Sequence, residues 1–481
     1  MLKNILSIGA VALCSSLFSQ VVVGPVLDTQ RLAIVPFDYA LDSSHTSISD
    51  IDSGFFKSSA SMKAFFAEAS YGKMTLEGTV YPYRRNQPPL FGVGYTNCYP
   101  TDAVITNQPD VNYAIIDNII LLPHDTASKS CAAGNSSSGK LPFTTPIGPQ
   151  QFRRSGFRTS FYFPNDFSKT TSSTIAHELM HSFGNGFHSN SYVQDSGVWK
   201  VQGYGNVFDI LGLRSQASHP CSMLKHKLGW LTQQEIQQVV QTDTFRIYPL
   251  EQTLPGQTQC LIIDLTQQLD LQPTDTFKFD QLYLEYRGLT GFDSRSAWQR
   301  RVRLKNNTYY PNDSLHGLSI IGVDCSSFQD CRPMLIDMHP DPIGGVGASY
   351  FPNEASDAPL KLNETYKVAT ADSISIKVIQ VSQGNYIDVA ITMPLSTGLE
   401  NYKKAAAKVQ LYPSPVEDYL HIQGAQGSVY RVQLYDIYGN LVKQELTEEQ
   451  VDMSNLKSGL YIVVMEDLST MQRIQKRVIK M

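Results

Sequence analysis

Apolar residues in the first part of the chain alternate between strand-like and helix-like spacing. Residues 31–37 (RLAIVPF) and 118–122 (NIILL) are short unbroken apolar runs, which are typical of buried strands. Between them, residues 61–70 carry apolar positions at helical spacing, and residues 74–83 alternate as a half-buried strand does. Helices and strands that alternate in this way predict a mixed α/β domain.

A further amphipathic helix is predicted at about residues 171–183. Ile175 and Leu179 lie four residues apart, Ser and Thr crowd the start as helix caps do, and Gly184 follows the last apolar position. After residue 231, short alternating strands separated by turn residues replace this pattern, and they predict a β-sandwich.

These patterns predict a multidomain protein with an α/β (α+β) domain, a β-sandwich domain and a small C-terminal all-β domain. A Ser/Thr/Gly stretch that runs into a short Lys/Ala stretch precedes the last domain, as a linker does. The predicted units are a signal peptide (1–19), the α/β domain (20–240), the β-sandwich (241–393), the linker (394–408) and the C-terminal domain (409–481).

Composition and charge are typical of a globular exported protein. Hydrophobic residues make up 42% of the 481 residues and charged residues 17%, which argues against disorder. The net charge of −5 offers no basic surface for nucleic acid or anionic lipid. Lys3, the apolar stretch 5–18 and a cleavage point after Ser19 indicate an export signal. No later stretch approaches the about 18 apolar residues of a transmembrane segment.

The cysteine count suits an oxidising compartment. Removal of the signal peptide takes Cys14 away and leaves six of the seven cysteines, an even number that favours disulfides. The alternative is that some of them are buried thiols. The expected pairs are Cys98–Cys131, Cys325–Cys331 and Cys221–Cys260.

The run HELMHSFGNGFH at residues 177–188 carries the residue types of a zinc site. His177 and His181 are four apart on the predicted helix, so their imidazoles project from one face within reach of a single ion. Neutral imidazole is a preferred zinc ligand. Glu178 follows the first histidine and is placed to take a proton from a water that the zinc activates.

A catalytic zinc needs a third protein ligand and an open position, and His188 is the foremost candidate for that ligand. Gly184 permits a sharp turn out of the helix, after which the chain can return His188 to the ion. The alternative is that His188 is an ordinary loop histidine. The weaker ligand candidates are His45, His124, His219 and His226.

This order of residues resembles the metzincin pattern HExxHxxGxxH, with the third histidine one residue later than in that pattern. The flanking runs RLAIVPFDYA at 31–40 and YGNVFDILG at 204–212 resemble the gametolysin-like and immune-inhibitor-A-like secreted metallopeptidases. The resemblance covers roughly residues 30–392 and implies a metzincin-like zinc peptidase fold for the α/β domain. The implied site residues are His177, His181 and His188 as zinc ligands and Glu178 as the catalytic base.

The resemblance also implies an apolar floor beneath the zinc, formed by a turn that carries methionine in the family. Leu211 stands at the position of that methionine, and Asn206 replaces an aspartate. An apolar Leu211 is an acceptable substitute, because the methionine packs beneath the ion and does not bind it. Calcium is a further candidate ion for such enzymes, although the sequence contains no EF-hand-type loop.

The C-terminal domain carries a second resemblance. VQLYPSPVEDYLHI at 409–422 resembles the YPNPxxDxLxI opening of a type IX secretion sorting domain, and VQLYDIYGNLV at 432–442 is similar to one of its later strands. The resemblance implies a Sec signal followed by the type IX secretion machinery, and hence a secreted or cell-surface protein. A generic carbohydrate-binding β-domain is the alternative.

These features predict a secreted zinc-dependent endopeptidase that hydrolyses peptide bonds in a protein or peptide substrate. The alternative is a catalytically weakened or inactive binding or adhesion protein on a metallopeptidase fold, which the position of His188 and the presence of Leu211 motivate. A third possibility is that the zinc site hydrolyses a non-peptide amide.

Overall fold

The structure is a computed structural model of the chain. It describes residues 25–38, 46–85, 105–106, 108, 110–124, 134–157, 170–195, 197–212, 218–265, 279–295, 316–325, 331–340, 354–368, 374–394, 410–423, 429–436, 441–447, 449–467 and 473–481. The predicted signal peptide and residues 395–408 of the predicted linker lie outside these ranges.

The described part of the chain is rich in strands and contains few helices. The helices are α1 (Ile48–Asp52), α2 (Met62–Ala69), α3 (Thr170–Ser182) and α4 (Ser222–Lys227). The strands up to α4 are β1 (Asp28–Asp38), β2 (Met74–Val80), β3 (Arg84–Arg85), β4 (Asn118–His124), β5 (Gly134–Ser136), β6 (Leu141–Thr145), β7 (Gly148–Phe157), β8 (Asn190–Asp195) and β9 (Val198–Gln202). Those up to residue 394 are β10 (Ile236–Gln238), β11 (Asp243–Ile247), β12 (Cys260–Asp264), β13 (Gln281–Tyr286), β14 (Leu318–Cys325), β15 (Cys331–Ile336), β16 (Thr365–Lys367), β17 (Ser375–Ser382) and β18 (Tyr386–Thr392). The last strands are β19 (Gln410–Tyr412), β20 (Tyr419–Gln423), β21 (Tyr430–Tyr435), β22 (Leu441–Thr447), β23 (Gln450–Asp452), β24 (Gly459–Asp467) and β25 (Arg473–Lys480).

The first sheet is largely parallel and lies beside α2 and α3. Its strands follow the order β2-β1-β4-β7-β5, with β3 beside β1 and β6 beside β7. A parallel sheet needs apolar cover on both faces. Leu32 and Ile34 of β1 accordingly pack into the core that holds α2 and α3, while Val35 and Phe37 enter a second cluster with Phe152 on the opposite face.

The second sheet lies between two cores. Its order is β10-β12-β13-β14-β15-β8-β9, and Asn190 of β8 pairs in parallel with Met334 of β15. Along β12, Ile262 faces the core of α2 and α3, whereas Leu261 and Ile263 face the other core. Burial on both faces explains why these strands are continuous apolar runs. Strands from both sides of residue 240 belong to this one sheet, although the sequence predicts a domain boundary at that residue.

A third, antiparallel sheet with the order β11-β18-β17-β16 packs against the second one. Ile247, Ile376 and Val389 from this sheet share a buried cluster with Leu261 and Leu284 of the second sheet. Two sheets that bury apolar faces against each other form the sandwich that short alternating strands predict.

The C-terminal residues form an all-β unit with its own core. A three-stranded sheet (β19-β20-β23) and a four-stranded sheet (β22-β21-β24-β25) enclose a cluster that includes Leu420, Val432 and Val463. The all-β prediction for this domain is therefore confirmed. None of the helices in the described ranges is long and apolar enough to span a bilayer.

The cysteine predictions are confirmed in part and corrected in part. Cys325 and Cys331 form a disulfide that joins β14 to β15. Cys221 and Cys260, which the sequence suggests as a pair, are buried free thiols. The Cys260 thiol donates to the carbonyl of Leu261 at 3.5 Å, and burial raises the pKa of both thiols. Cys98 and Cys131 lie outside the described residues.

Candidate metal centre

Helix α3 carries the first two histidines on one face. His177 and His181 are one turn apart, and the centroids of their rings are 4.8 Å apart. Only 1% of His177 is exposed, while His181 is half-buried. The apolar side of the helix, with Ile175 and Leu179, lies in the core, so the packing of α3 directs both imidazoles away from it.

Backbone carbonyls orient both imidazoles. His177 Nδ1 lies 2.7 Å from the carbonyl oxygen of Ile210, and His181 Nδ1 lies 2.6 Å from that of Asn185. A carbonyl oxygen only accepts, so each Nδ1 carries a proton and donates it. In a neutral ring, Nε2 then keeps its lone pair for a metal ion, as is usual for histidine ligands whose other nitrogen is hydrogen-bonded.

The turn after α3 brings the third histidine back to the first two. Gly184 has a φ of +102°, and its N–H donates to the carbonyl of His181 at 2.9 Å. The buried Asn185 side chain donates to the carbonyl of Met180 at 3.2 Å and fastens the turn to the helix. His188 thus lies with its ring centroid 5.3 Å from that of His177 and 4.8 Å from that of His181. The expected glycine turn is present.

The donor set suits a zinc ion. One ring nitrogen from each of His177, His181 and His188 lies within 4.8 Å of the others, and no other group of three His, Cys, Asp or Glu side chains in the described ranges is placed to hold an ion. The Nε2 atoms of His177 and His181 are 3.2 Å apart. Two nitrogens bound to a tetrahedral zinc at about 2.0–2.1 Å are about 3.3 Å apart, close to this separation.

Glu178 and Leu211 are both buried near the histidine-bearing helix. Glu178 follows His177 on α3 and is 6% exposed. Leu211 is fully buried in the same core as Leu179. The carbonyl of Leu211 accepts from the N–H of Ser189 at 2.9 Å. Neighbouring residues of this turn therefore contact both parts of the cluster: the carbonyl of Ile210 binds His177, and that of Leu211 binds Ser189, the residue after His188.

Buried Asp209 holds the turn in shape. Its carboxylate accepts from the N–H of Leu211 at 2.7 Å and from that of Cys221 at 2.8 Å. Burial raises the pKa of Asp209 above its usual value, and the hydrogen bonds from these two residues oppose that rise. This contact was not predicted from the sequence, although an aspartate that accepts from the N–H two residues later is a common turn arrangement.

Two of the other candidate histidines, His219 and His226, have partners outside the histidine cluster. His219 is fully buried, with Nε2 3.1 Å from Glu68, and burial holds its pKa well below the usual value. His226 Nδ1 lies 3.0 Å from the hydroxyl of Tyr283. His45 lies outside the described residues, and the side chain of His124 is likewise not described.

Two aromatic contacts lie near the third histidine. The guanidinium of Arg332, next to the disulfide in β15, lies 4.5 Å from the centroid of Phe187. The ring centroid of Tyr204 lies 3.8 Å from that of His188. Both contacts join residues that are distant in sequence, so local patterns do not reveal them.

Gly205 is required where the chain after β9 passes β8. A Cβ at Gly205 would lie 1.9 Å from Ser191 Oγ and 2.9 Å from its backbone nitrogen, whereas a Cβ at Gly203 would meet nothing within 4 Å. Gly205→Ala is therefore expected to lower the free energy of unfolding by about 1–3 kcal/mol, as overpacking does. Calorimetric unfolding measures this change. Gly203→Ala is the matched control, and an equal loss of stability in both variants would contradict the steric explanation.

Comparisons with known proteins identify the C-terminal unit. Residues 410–480 match the family described as the secretion system C-terminal sorting domain. No curated protein matches the chain. A solved structure of PorZ from Porphyromonas gingivalis, a bacterial surface component of the type-IX secretion system, is similar at 16% identity with a TM-score of 0.15. That match covers 34% of this chain and only 20% of PorZ, so this chain spans a small part of the length of that protein.

The sorting domain defines the export route. It indicates interaction with the type IX secretion machinery and export to the cell surface or the extracellular space. This confirms the predicted localisation and the predicted secretion partner.

Proposed function

We propose that the protein is a secreted zinc-dependent endopeptidase whose N-terminal domain is metzincin-like. The observation that carries the proposal is the convergence of His177, His181 and His188, with Glu178 next to the first of them. Two of the three imidazoles have their Nδ1 atoms held by carbonyls, which leaves the opposite nitrogens for a metal. The sequence resemblance to gametolysin-like and immune-inhibitor-A-like peptidases supports the same reaction.

Each residue has a distinct role in this proposal. The three histidines would hold the ion, which would supply Lewis acidity towards a substrate carbonyl and a nearby water. Glu178 accepts the proton of the attacking water and returns it to the leaving amine. Leu211 closes the site from below with an apolar side chain, and the carbonyl of Ile210 fixes the orientation of His177.

Metal content and proteolysis together test this function. The secreted protein is expected to contain about one zinc per chain and to cleave a peptide library. A chelator should abolish cleavage and added zinc should restore it. His181→Ala is the control variant that should lose both properties. Zinc binding without cleavage of any peptide would favour a surface binding protein on the same fold, and the absence of zinc binding would exclude both proposals.

A further inference from the structure

The phenol ring of Tyr204 lies against the imidazole of His188. The ring centroids are 3.8 Å apart and the ring planes are inclined by 34°. Tyr204 is also 6.0 Å from the ring of His177, so it lies beside the cluster of histidines. The contact with His188 is the closer of the two, and it joins the third histidine to a residue sixteen positions later in the chain.

The backbone at Tyr204 adopts a conformation that a tyrosine rarely takes. The φ of Tyr204 is +60°, in the left-handed region that favours glycine. The chain has glycines directly before and after this position, but the left-handed residue itself is the tyrosine. Residues in such conformations persist only when their surroundings hold them, and they are concentrated at functional sites. A large side chain here therefore points to a role for the ring itself.

The hairpin of β8 and β9 places the ring of Tyr204 beside His188. Ser191 pairs with Gln202, so the chain that leaves β9 returns to the start of β8. The side-chain oxygen of Asn190 accepts from the N–H of Tyr204 at 3.0 Å. Asn190 lies two residues after His188. The backbone of Tyr204 is therefore hydrogen-bonded to the same short segment that carries His188.

We infer that Tyr204 is a positioning residue for His188, the third zinc ligand, and this inference rests on the proposed function. The helix and the carbonyls orient His177 and His181, and His188 lies beyond the turn that follows α3. Rotation of the His188 imidazole about its Cβ–Cγ bond would drive its edge into the phenol ring. The ring therefore restricts the directions in which the ligand nitrogen can point.

Two substitutions at Tyr204 distinguish the effect of the ring from the effects of the hydroxyl and of the backbone conformation. Tyr204→Gly removes the ring and suits the left-handed backbone, so the fold should keep its stability. Tyr204→Phe keeps the ring and removes the hydroxyl. The measurement is the zinc affinity of the full secreted chain, titrated with zinc in competition with a chromophoric chelator. The visible spectrum of the cobalt(II)-substituted protein reports ligand geometry independently of activity.

Tyr204→Gly is expected to bind zinc about 10–100-fold more weakly, the usual effect of removing a residue that orients a ligand, whereas Tyr204→Phe should stay within about twofold of wild type. The cobalt spectrum should change for Tyr204→Gly alone. Unchanged zinc affinity in Tyr204→Gly overturns the inference, and so does an equal loss in Tyr204→Phe, which would assign the effect to the hydroxyl. Wild-type protein that binds no zinc would overturn the proposed function as well, so the two failures are distinguishable.

Discussion

Glu178→Gln is expected to lower the rate of peptide cleavage by about 10²–10⁴-fold, the usual contribution of a general base, while zinc stays bound. The amide has the same shape as the carboxylate but cannot accept the proton of the attacking water. His177 and His181 should keep their orientation, because the carbonyls of Ile210 and Asn185 hold their Nδ1 atoms. The loss should fall on kcat more than on KM.

Cleavage kinetics and zinc content of the same preparation measure this effect. The matched control is Glu77→Gln, the same chemical change at an exposed position on β2. It should leave cleavage unchanged. Full activity in Glu178→Gln would show that another group takes the proton. Loss of zinc together with activity would instead indicate a structural role for Glu178.

Local patterns in the sequence predict the helix that carries the site with good accuracy. Four-residue apolar spacing around Ile175 and Leu179 predicts a helix at 171–183, and the structure has it at Thr170–Ser182. The same spacing places His177 and His181 on one face. Gly184 predicts the turn that follows, because only a residue tolerant of positive φ ends the helix in this way.

Long-range pairing is the part that local patterns do not reveal. The parallel pairing of β8 with β15 joins residues 190 and 334, and no local pattern specifies such a partner. The Gly/Ser-rich stretch 132–140 indicates a loop, yet β5 lies within it as a short strand paired with β7. Pairing with an existing strand overrides the weak strand propensity of glycine and serine there. The contact between Tyr204 and His188 depends on the same kind of long-range arrangement.

Buried carboxylates connect the floor of the proposed site to the start of α4. Asp209, which shapes the turn under His177, accepts from the N–H of Cys221. The next N–H, of Ser222, donates to Glu285 at 2.6 Å, and that of His219 donates to Asp293 at 2.6 Å. Three carboxylates from separate segments thus hold one short stretch of backbone, and each is almost completely buried. Such charges need a cation beside them.

Arg287 is that cation. Its Nη1 lies 2.8 Å from Asp293 and its Nη2 lies 2.9 Å from Glu285, and only 3% of its side chain is exposed. Burial and the neighbouring guanidinium lower the pKa of Lys225 to about 7, and its Nζ donates to the hydroxyl of Tyr71 at 3.0 Å and the carbonyl of Leu250 at 3.1 Å. Arg287 therefore balances most of the negative charge of the two carboxylates that contact it, Glu285 and Asp293.

Arg287→Met is expected to lower the free energy of unfolding by about 3–5 kcal/mol, because it leaves Glu285 and Asp293 buried without their partner. Methionine keeps much of the length of the side chain, so the loss reports the charge more than the volume. Calorimetry and a denaturant series on the secreted chain measure the change. Since the same carboxylates fasten the start of α4, and Asp209 joins that point to the turn beneath His177, zinc affinity should fall with stability.

Arg246→Met provides the matched control. Arg246 makes a bidentate ion pair with Asp388 at 2.7 and 2.9 Å, but it lies on the outer sheet with 44% of its side chain exposed. Water reaches part of this pair, because 44% of the Arg246 side chain and 12% of the Asp388 side chain are exposed, so the loss of stability should be smaller than that in Arg287→Met. A similar loss in the two variants would mean that buried and exposed arginine pairs contribute alike here, and the buried carboxylates would then need another source of compensation. A large loss of stability in Arg287→Met alone would show that the buried carboxylates Glu285 and Asp293 depend on the guanidinium.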